Sequence, residues 1–354
     1  MSIRFQKLPK IELHVHLDCS MSFDAVHLLD AGISHSDYQR RFVAPQEATG
    51  LPDYLNCALE EIRLMQTGAQ LRIATLDVLR QFQADHVLYA EIRFAPLEHL
   101  RGGLSPEEVV AHVQAALREG MAETGVEARL ILCTLRHYSE AQSLLVAELA
   151  CAFQKDLVAG FDLAADEAAW PLEPHIRAFA YAQAHGLPCT AHAGEVCGPE
   201  SVRETLKKLR PQRIGHGVRS IGDLDLLSVL KSHHIHLEVC PTSNIRTRVF
   251  PSLSKHSVHA LYEAGISLGI NTDGRTISSV SLTEEYAHLH HTFGWSETHF
   301  LRCNLNALQA AFIPDVLKAR LRTILEAGYP LALSLFISHF FAKWPFFNIL
   351  VFFT

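Results

Sequence analysis

The residues best suited to chemistry lie in short motifs scattered along the chain. His14 and His16 fall in "IELHVHLD", His192 and Glu195 in "TAHAGE", His216 in "RIGHGV" and Asp273 in "INTDGRT". Imidazole nitrogens with one carboxylate are borderline ligands that suit zinc, and also iron or other first-row metals. Three histidines and an aspartate leave a position free for water, whose pKa a metal lowers towards neutrality to create a nucleophile. A further carboxylate and histidine beside it can handle protons. That is the logic of a metal-assisted hydrolase. The chain holds 22 histidines, but several, such as His233, His234, His290 and His291, sit in polar stretches and read as surface residues.

These groups act together only if the fold gathers them. Read as a strand, "IELHVHLD" puts Glu12, His14, His16 and Asp18 on one face and Leu13, Val15 and Leu17 on the other. An antiparallel strand with one face in water would do this, and so would a barrel strand whose polar face points into a site. The rest of the chain separates the two. Strand-like runs recur at Ile11–Leu17, Val87–Phe94, Ala128–Leu135, Val158–Leu163, Pro188–His192, Arg213–Gly217, Ile235–Val239 and Ile266–Asn271. Helical patterns lie between them, such as "SPEEVVAHVQAALREGMAETG", which Ser105 can cap and Gly125 can end.

Strand alternating with helix means parallel βαβ units, and eight of them fit an α/β fold of the (β/α)8 TIM-barrel type. A doubly wound sheet is the alternative, but no glycine-rich phosphate loop follows the first strand. A helical insertion at about residues 20–80 holds "SFDAVHLLDAG" and "LPDYLNCALEEIRLMQ" and can cover the barrel mouth as a lid. In a barrel the C-terminal strand ends converge on one site, which would unite His14, His16, His192, Glu195, His216 and Asp273. A lone histidine among these would read as a satisfied core residue. That reading strains when nearly every polar surprise falls at a strand end.

In this order, "ELHVHLD", "HAGE", "RIGHGV", "CPTSN" and "NTD" resemble the adenosine deaminase family of the amidohydrolase superfamily, over about Leu8 to Tyr329. The resemblance implies one Zn2+ per chain, held by His14, His16, His192 and Asp273. Glu195 matches the general acid that protonates purine N1 so that C6 becomes electrophilic. His216 matches the histidine that orients the attacking hydroxide and manages its proton, and Asp273 would also accept a hydrogen bond from that hydroxide. Asp18 matches a residue that contacts the sugar hydroxyl in nucleoside deaminases, whereas free-base adenine relatives more often carry Glu. Glu12 lies deeper and reads as structural. The implied reaction is hydrolysis of adenosine, or a close 6-aminopurine nucleoside, to inosine and ammonia. An N6-substituted adenosine, an aminofutalosine-type nucleoside or adenine is the alternative substrate, and a catalytically silent metal-binding relative the alternative class. The H-x-E and P-C-x-x-C signature of the cytidine-deaminase type is absent, because Pro188-Cys189 is followed by Thr190-Ala191-His192.

Three positions depart from the commonest family pattern. Cys19 follows Asp18 where Gly is usual. Ala165 in "DLAADE" replaces a Gly whose backbone N–H contacts the purine, and that contact is expected to survive if φ there is negative. Gly274 in "NTDGRT" stands where a second Asp usually binds purine N7, so N7 is expected to go unread unless a water or a side chain such as Arg275 fills the gap.

Composition bounds the remainder. With 354 residues, 48% hydrophobic and 19% charged, the chain can bury a large core. A net charge of −7 and the lack of a long basic run argue against nucleic acid. The 8 cysteines form no C-x-x-C pair, and "MSIRFQKLPK" has no apolar h-region, so free thiols and a cytoplasmic location are expected. Residues 1–330 read as a single deaminase barrel. The atypical tail "LALSLFISHFFAKWPFFNILVFFT", residues 331–354, does not resemble the family. Lys343-Trp344-Pro345 interrupts it, so it reads as a frameshifted or foreign extension rather than a membrane anchor.

Overall fold

A computed structural model describes residues 5–45 and 50–329. The apolar tail beyond them lies outside the described residues. Among the described residues eight strands form in chain order: β1 (Lys10–His16), β2 (Val87–Phe94), β3 (Glu127–Leu135), β4 (Val158–Ala164), β5 (Thr190–Ala193), β6 (Arg213–His216), β7 (His236–Val239) and β8 (Leu268–Ile270). Every neighbouring pair within β1–β4 and within β5–β8 is parallel. Parallel bridges at Val15–Asp273 and Phe161–Cys189 join the two sets, so the ring closes as a TIM barrel. The strands fall where the sequence places them, within a residue or two at each end.

Helices cover the outside, as parallel strands require. The one between β2 and β3, Pro106–Thr124, shows why this sequence makes them. Ser105 and Glu108 exchange hydrogen bonds in a capping box, and Gly125 at φ +74° stops the helix. Its buried face carries Val109, Val110, Val113 and Leu117, spaced for one side of a helix. Among the described residues, no helix is long and apolar enough to cross a membrane.

Among the described residues between β1 and β2 lie four α-helices, α1 (Phe23–Leu29), α2 (His35–Arg41), α3 (Leu51–Arg63) and α4 (Gly68–Ala84). Tyr54, Cys57 and Ala58 of α3 pack with Cys19 and Ile277 in a small apolar cluster apart from the main core. The Tyr54 hydroxyl lies 2.8 Å from Ser278 Oγ. This holds α3 against the segments that follow β1 and β8, at the C-terminal end of the barrel.

Part of the barrel interior is ionic. Arg93 bridges Asp162 (2.9 Å) and Glu238 (2.7 Å), and Arg213 bridges Glu91 (2.6 Å) and Glu238 (2.7 Å), all essentially without solvent exposure. Burial alone would push the Glu238 carboxyl up, but Arg93 and Arg213 hold it well below the usual carboxylate range. Such a network is costly to desolvate and costly to break, and it gives the layer above it charged groups in fixed places.

Candidate active site

At the C-terminal strand ends, His14 and His16 of β1, His192 of β5 and Asp273 just after β8 bring their ligand atoms within 4.8 Å of one another. His16 Nε2 is 3.3 Å from His192 Nε2, and His14 Nε2 and His16 Nε2 are each 3.5 Å from Asp273 Oδ1. Two nitrogens bound to one tetrahedral zinc at ~2.05 Å would stand about 3.3 Å apart.

The free nitrogens are the right ones. His14 Nδ1 is 2.9 Å from Glu238 Oε2, and since that carboxylate only accepts, Nδ1 carries the proton. His192 Nδ1 likewise meets the Leu163 carbonyl at 3.0 Å and the Asp162 carboxylate at 3.2 Å. Each Nε2 is thereby left to ligate, and the buried His14 Nε2 has no hydrogen-bond partner. Burial, partly offset by Asp273, lowers the His16 pKa to about 3, so this imidazole stays neutral. Burial also opposes ionisation of Asp273, yet the surrounding histidines hold its carboxyl well below the usual range. Three imidazole Nε2 atoms turned towards one ionised carboxylate are the donor set a divalent first-row cation takes, so these residues fit a metal ion.

Two further ionisable groups, His216 and Glu195, face this cluster. His216 Nε2, at the end of β6, is 3.7 Å from Glu195 Oε2 and 4.0 Å from Asp273 Oδ2. Burial, and then the charges of Asp273 and Glu167, hold the Glu195 carboxyl well above its ordinary range. It is therefore a proton donor near neutral pH. Burial with the neighbouring histidines keeps His216 neutral. Backbone strain gathers here as well, because Asp273 (φ +66°), His216 (φ +60°) and Ala165 (φ +77°) all adopt the left-handed region.

Several expectations need correction. Glu12 does not share the face of His14 and His16, because the β1 ladder shifts register between Glu12 and Val15. Its carboxylate instead accepts from the Thr272 backbone N–H (2.9 Å) and pairs with Arg275 (3.0 Å). Asp18 sits in a short turn after β1, its Oδ2 3.8 Å from His99 Nε2 and 3.4 Å from the Ala95 N–H. The condition set for the Ala165 contact, a negative φ, is not met, since φ there is +77°. Alanine keeps the left-handed turn that glycine would adopt without strain, at about 1–2 kcal/mol. Arg275 cannot fill the gap at Gly274, since Glu12 and Asp85 (2.9 Å) hold its guanidinium.

Three residues went unassigned in the sequence. Glu238, which orients His14, could have been noticed as a charge in the short buried strand "HLEV". Asn244, in "PTSN", bonds both His216 and Glu195. Glu167, in "DLAADE", accepts the backbone N–H groups of Gly194, Glu195, Val196 and Cys197 at 2.6–2.9 Å, and the Ser201 hydroxyl at 2.6 Å. It holds the loop that presents Glu195, but no local pattern distinguishes it from a surface acid.

Comparison with known proteins places this geometry. The family model described as adenosine deaminase matches residues 9–327. An adenosine deaminase from Lacticaseibacillus casei is 36% identical over 329 residues, 91% of this chain and 97% of its own. The N6-methyl-AMP deaminase of Arabidopsis thaliana superimposes with a TM-score of 0.82 at 27% identity, covering 93% of this chain and 99% of its own. An amidohydrolase from Burkhoderia ambifaria with bound zinc shares the fold, with a TM-score of 0.85 at 23% identity, covering 95% of this chain and 94% of its own.

Proposed function

The chain belongs to the adenosine deaminase family, and on that premise we propose that it hydrolyses the C6–N bond of adenosine to give inosine and ammonia, with one zinc ion as cofactor. One observation carries the reading. The Glu195 carboxyl and the His216 imidazole face the same point as three imidazole Nε2 atoms and the Asp273 carboxylate. A protein that only bound a metal would have no use for both.

His14, His16, His192 and Asp273 would hold the zinc. When bound, it lowers the pKa of water towards neutrality. Glu195 protonates N1 of the purine, which draws electrons from C6 and opens it to attack. A C6–O bond forms, the remaining proton of the attacking hydroxyl passes by way of the Asp273 carboxylate to the amine, and the C6–N bond breaks to release ammonia. His216 Nε2 and Asp273 Oδ2, 4.0 Å apart, orient the attacking oxygen from two sides. Glu167 keeps the Glu195 backbone in place. Helix α3, packed by Tyr54 and Cys57 at the barrel mouth, acts as the lid that keeps the Glu195 carboxyl dry.

Asp18 favours a nucleoside over a nucleotide. Burial would raise its pKa, but His99 and His16 hold it below the usual range, so it is ionised. A carboxylate accepts a hydrogen bond from a sugar hydroxyl and repels a 5′-phosphate, such as the one carried by N6-methyl-AMP. None of the 8 cysteines is disulfide-bonded, which suits a reducing compartment, and a cytoplasmic role in purine metabolism is part of this proposal.

Glu195→Gln tests the assignment of the acid. It keeps shape and hydrogen-bonding capacity but cannot deliver the proton, so zinc should stay bound while turnover falls by roughly 10²-fold or more. Comparable turnover in the zinc-replete variant would remove Glu195 from that role.

A further inference from the structure

The imidazole of His216 can carry its proton on either nitrogen, and the surrounding hydrogen bonds decide which. The deciding group is a backbone amide 42 residues downstream. Val258 N–H lies 3.0 Å from His256 Nδ1, and an amide N–H can only donate, so His256 Nδ1 is unprotonated. His256 is buried, and burial, with Arg219 nearby, lowers its pKa to about 3, so the ring is neutral and its proton sits on Nε2.

His256 Nε2 faces Asn244 Oδ1 at 3.1 Å, which fixes the orientation of that amide. The Asn244 amide nitrogen then donates to His216 Nδ1 at 3.1 Å, and it also reaches Glu195 Oε1 at 3.4 Å. Turning the amide over would set two donors against each other at His256 and two acceptors at Glu195. One arrangement satisfies every group, and Asn244 is wholly buried, so no solvent competes.

We propose that His256 is a positioning residue which, through Asn244, holds His216 in the tautomer with its proton on Nε2. His216 then meets the reaction as a hydrogen-bond donor aimed between Glu195 and Asp273, not as the base that takes a proton from the attacking oxygen. The mechanistic half of this statement rests on the deaminase reading, whereas the tautomer does not.

Neutron diffraction from the perdeuterated, zinc-loaded protein reads the tautomer whether or not adenosine is turned over. Deuterium is expected on Nε2 of both His256 and His216 and absent from His216 Nδ1. Deuterium on His216 Nδ1 would overturn the proposal. His256→Phe provides a kinetic arm, since the ring can still pack on Phe250, which lies 4.5 Å away between ring centroids. Per bound zinc, kcat should fall up to about tenfold with KM nearly unchanged, the loss expected for one hydrogen bond. His256→Gln, which restores an amide donor, should recover part of it. A folded, zinc-loaded His256→Phe protein with unchanged kcat would also overturn the proposal. If that variant does not fold, the neutron result decides alone.

Discussion

Cys19 and Gly274 divide one side-chain space between them. A Cβ built on Gly274 would lie 2.8 Å from the Cys19 Cβ, closer than real Cβ atoms come, and a tight 3.0 Å from the Tyr54 hydroxyl oxygen. The two departures from the family pattern are thus one exchange, with a side chain gained at 19 and lost at 274. Gly274→Ala should therefore destabilise the protein by about 1–3 kcal/mol, the usual cost of overpacking. In a Cys19→Gly background the same change should cost much less. Denaturant unfolding of the four proteins measures the coupling, and additive effects would show that the two positions do not share space.

The same exchange bears on the substrate. Gly274 offers no side chain to purine N7, and Arg275 is tied to Glu12 and Asp85. A single hydrogen bond is worth up to roughly tenfold in affinity, so 7-deaza-adenosine should be deaminated within about tenfold of adenosine. A loss of a hundredfold or more in kcat/KM, beyond what the altered ring basicity explains, would mean that N7 is still recognised.

Glu167→Gln replaces a carboxylate that accepts four backbone N–H groups and one hydroxyl with a group that must turn an NH2 towards one of them. Hydrogen bonds to a charged group are individually strong, so kcat should fall at least about tenfold while zinc content holds. Elemental analysis beside steady-state kinetics checks this. A variant with full zinc and full kcat would free Glu167 from any role in presenting Glu195.

Glu238→Gln alters the group that fixes the His14 proton on Nδ1. An amide can accept that proton less strongly, and it leaves Arg93 and Arg213 short of one buried counter-charge. Zinc affinity should drop roughly 10- to 100-fold, as for other partners of metal-binding histidines. Competition against a chromophoric chelator gives the number, and an unchanged dissociation constant would show that His14 orients itself.

The strands and the six convergent groups were legible because each strand ends in a polar motif, and a closed barrel leaves such ends only one place to meet. Period-two alternation failed at Glu12, since a register shift inside β1 is invisible in "IELHVHLD". The conformation of Ala165 was also hidden, because alanine gives no sign that its backbone sits at φ +77°. His256 escaped notice for a different reason. Its partners Asn244 and Val258 are close in sequence, but its effect on His216 needs the tertiary contact between the segments after β6 and β7.

The central claim is that this metal site deaminates adenosine, and ammonia release tests it most directly. The purified protein, stripped with a chelator and reloaded to one zinc per chain, would be mixed with adenosine while ammonia and inosine are assayed together. Equal amounts of both products are expected, with turnover lost in the stripped protein and restored by zinc. Adenosine should be preferred to adenine and to N6-methyl-AMP in the same assay. A protein that binds one zinc at His14, His16, His192 and Asp273 yet releases no ammonia from adenosine would contradict the claim.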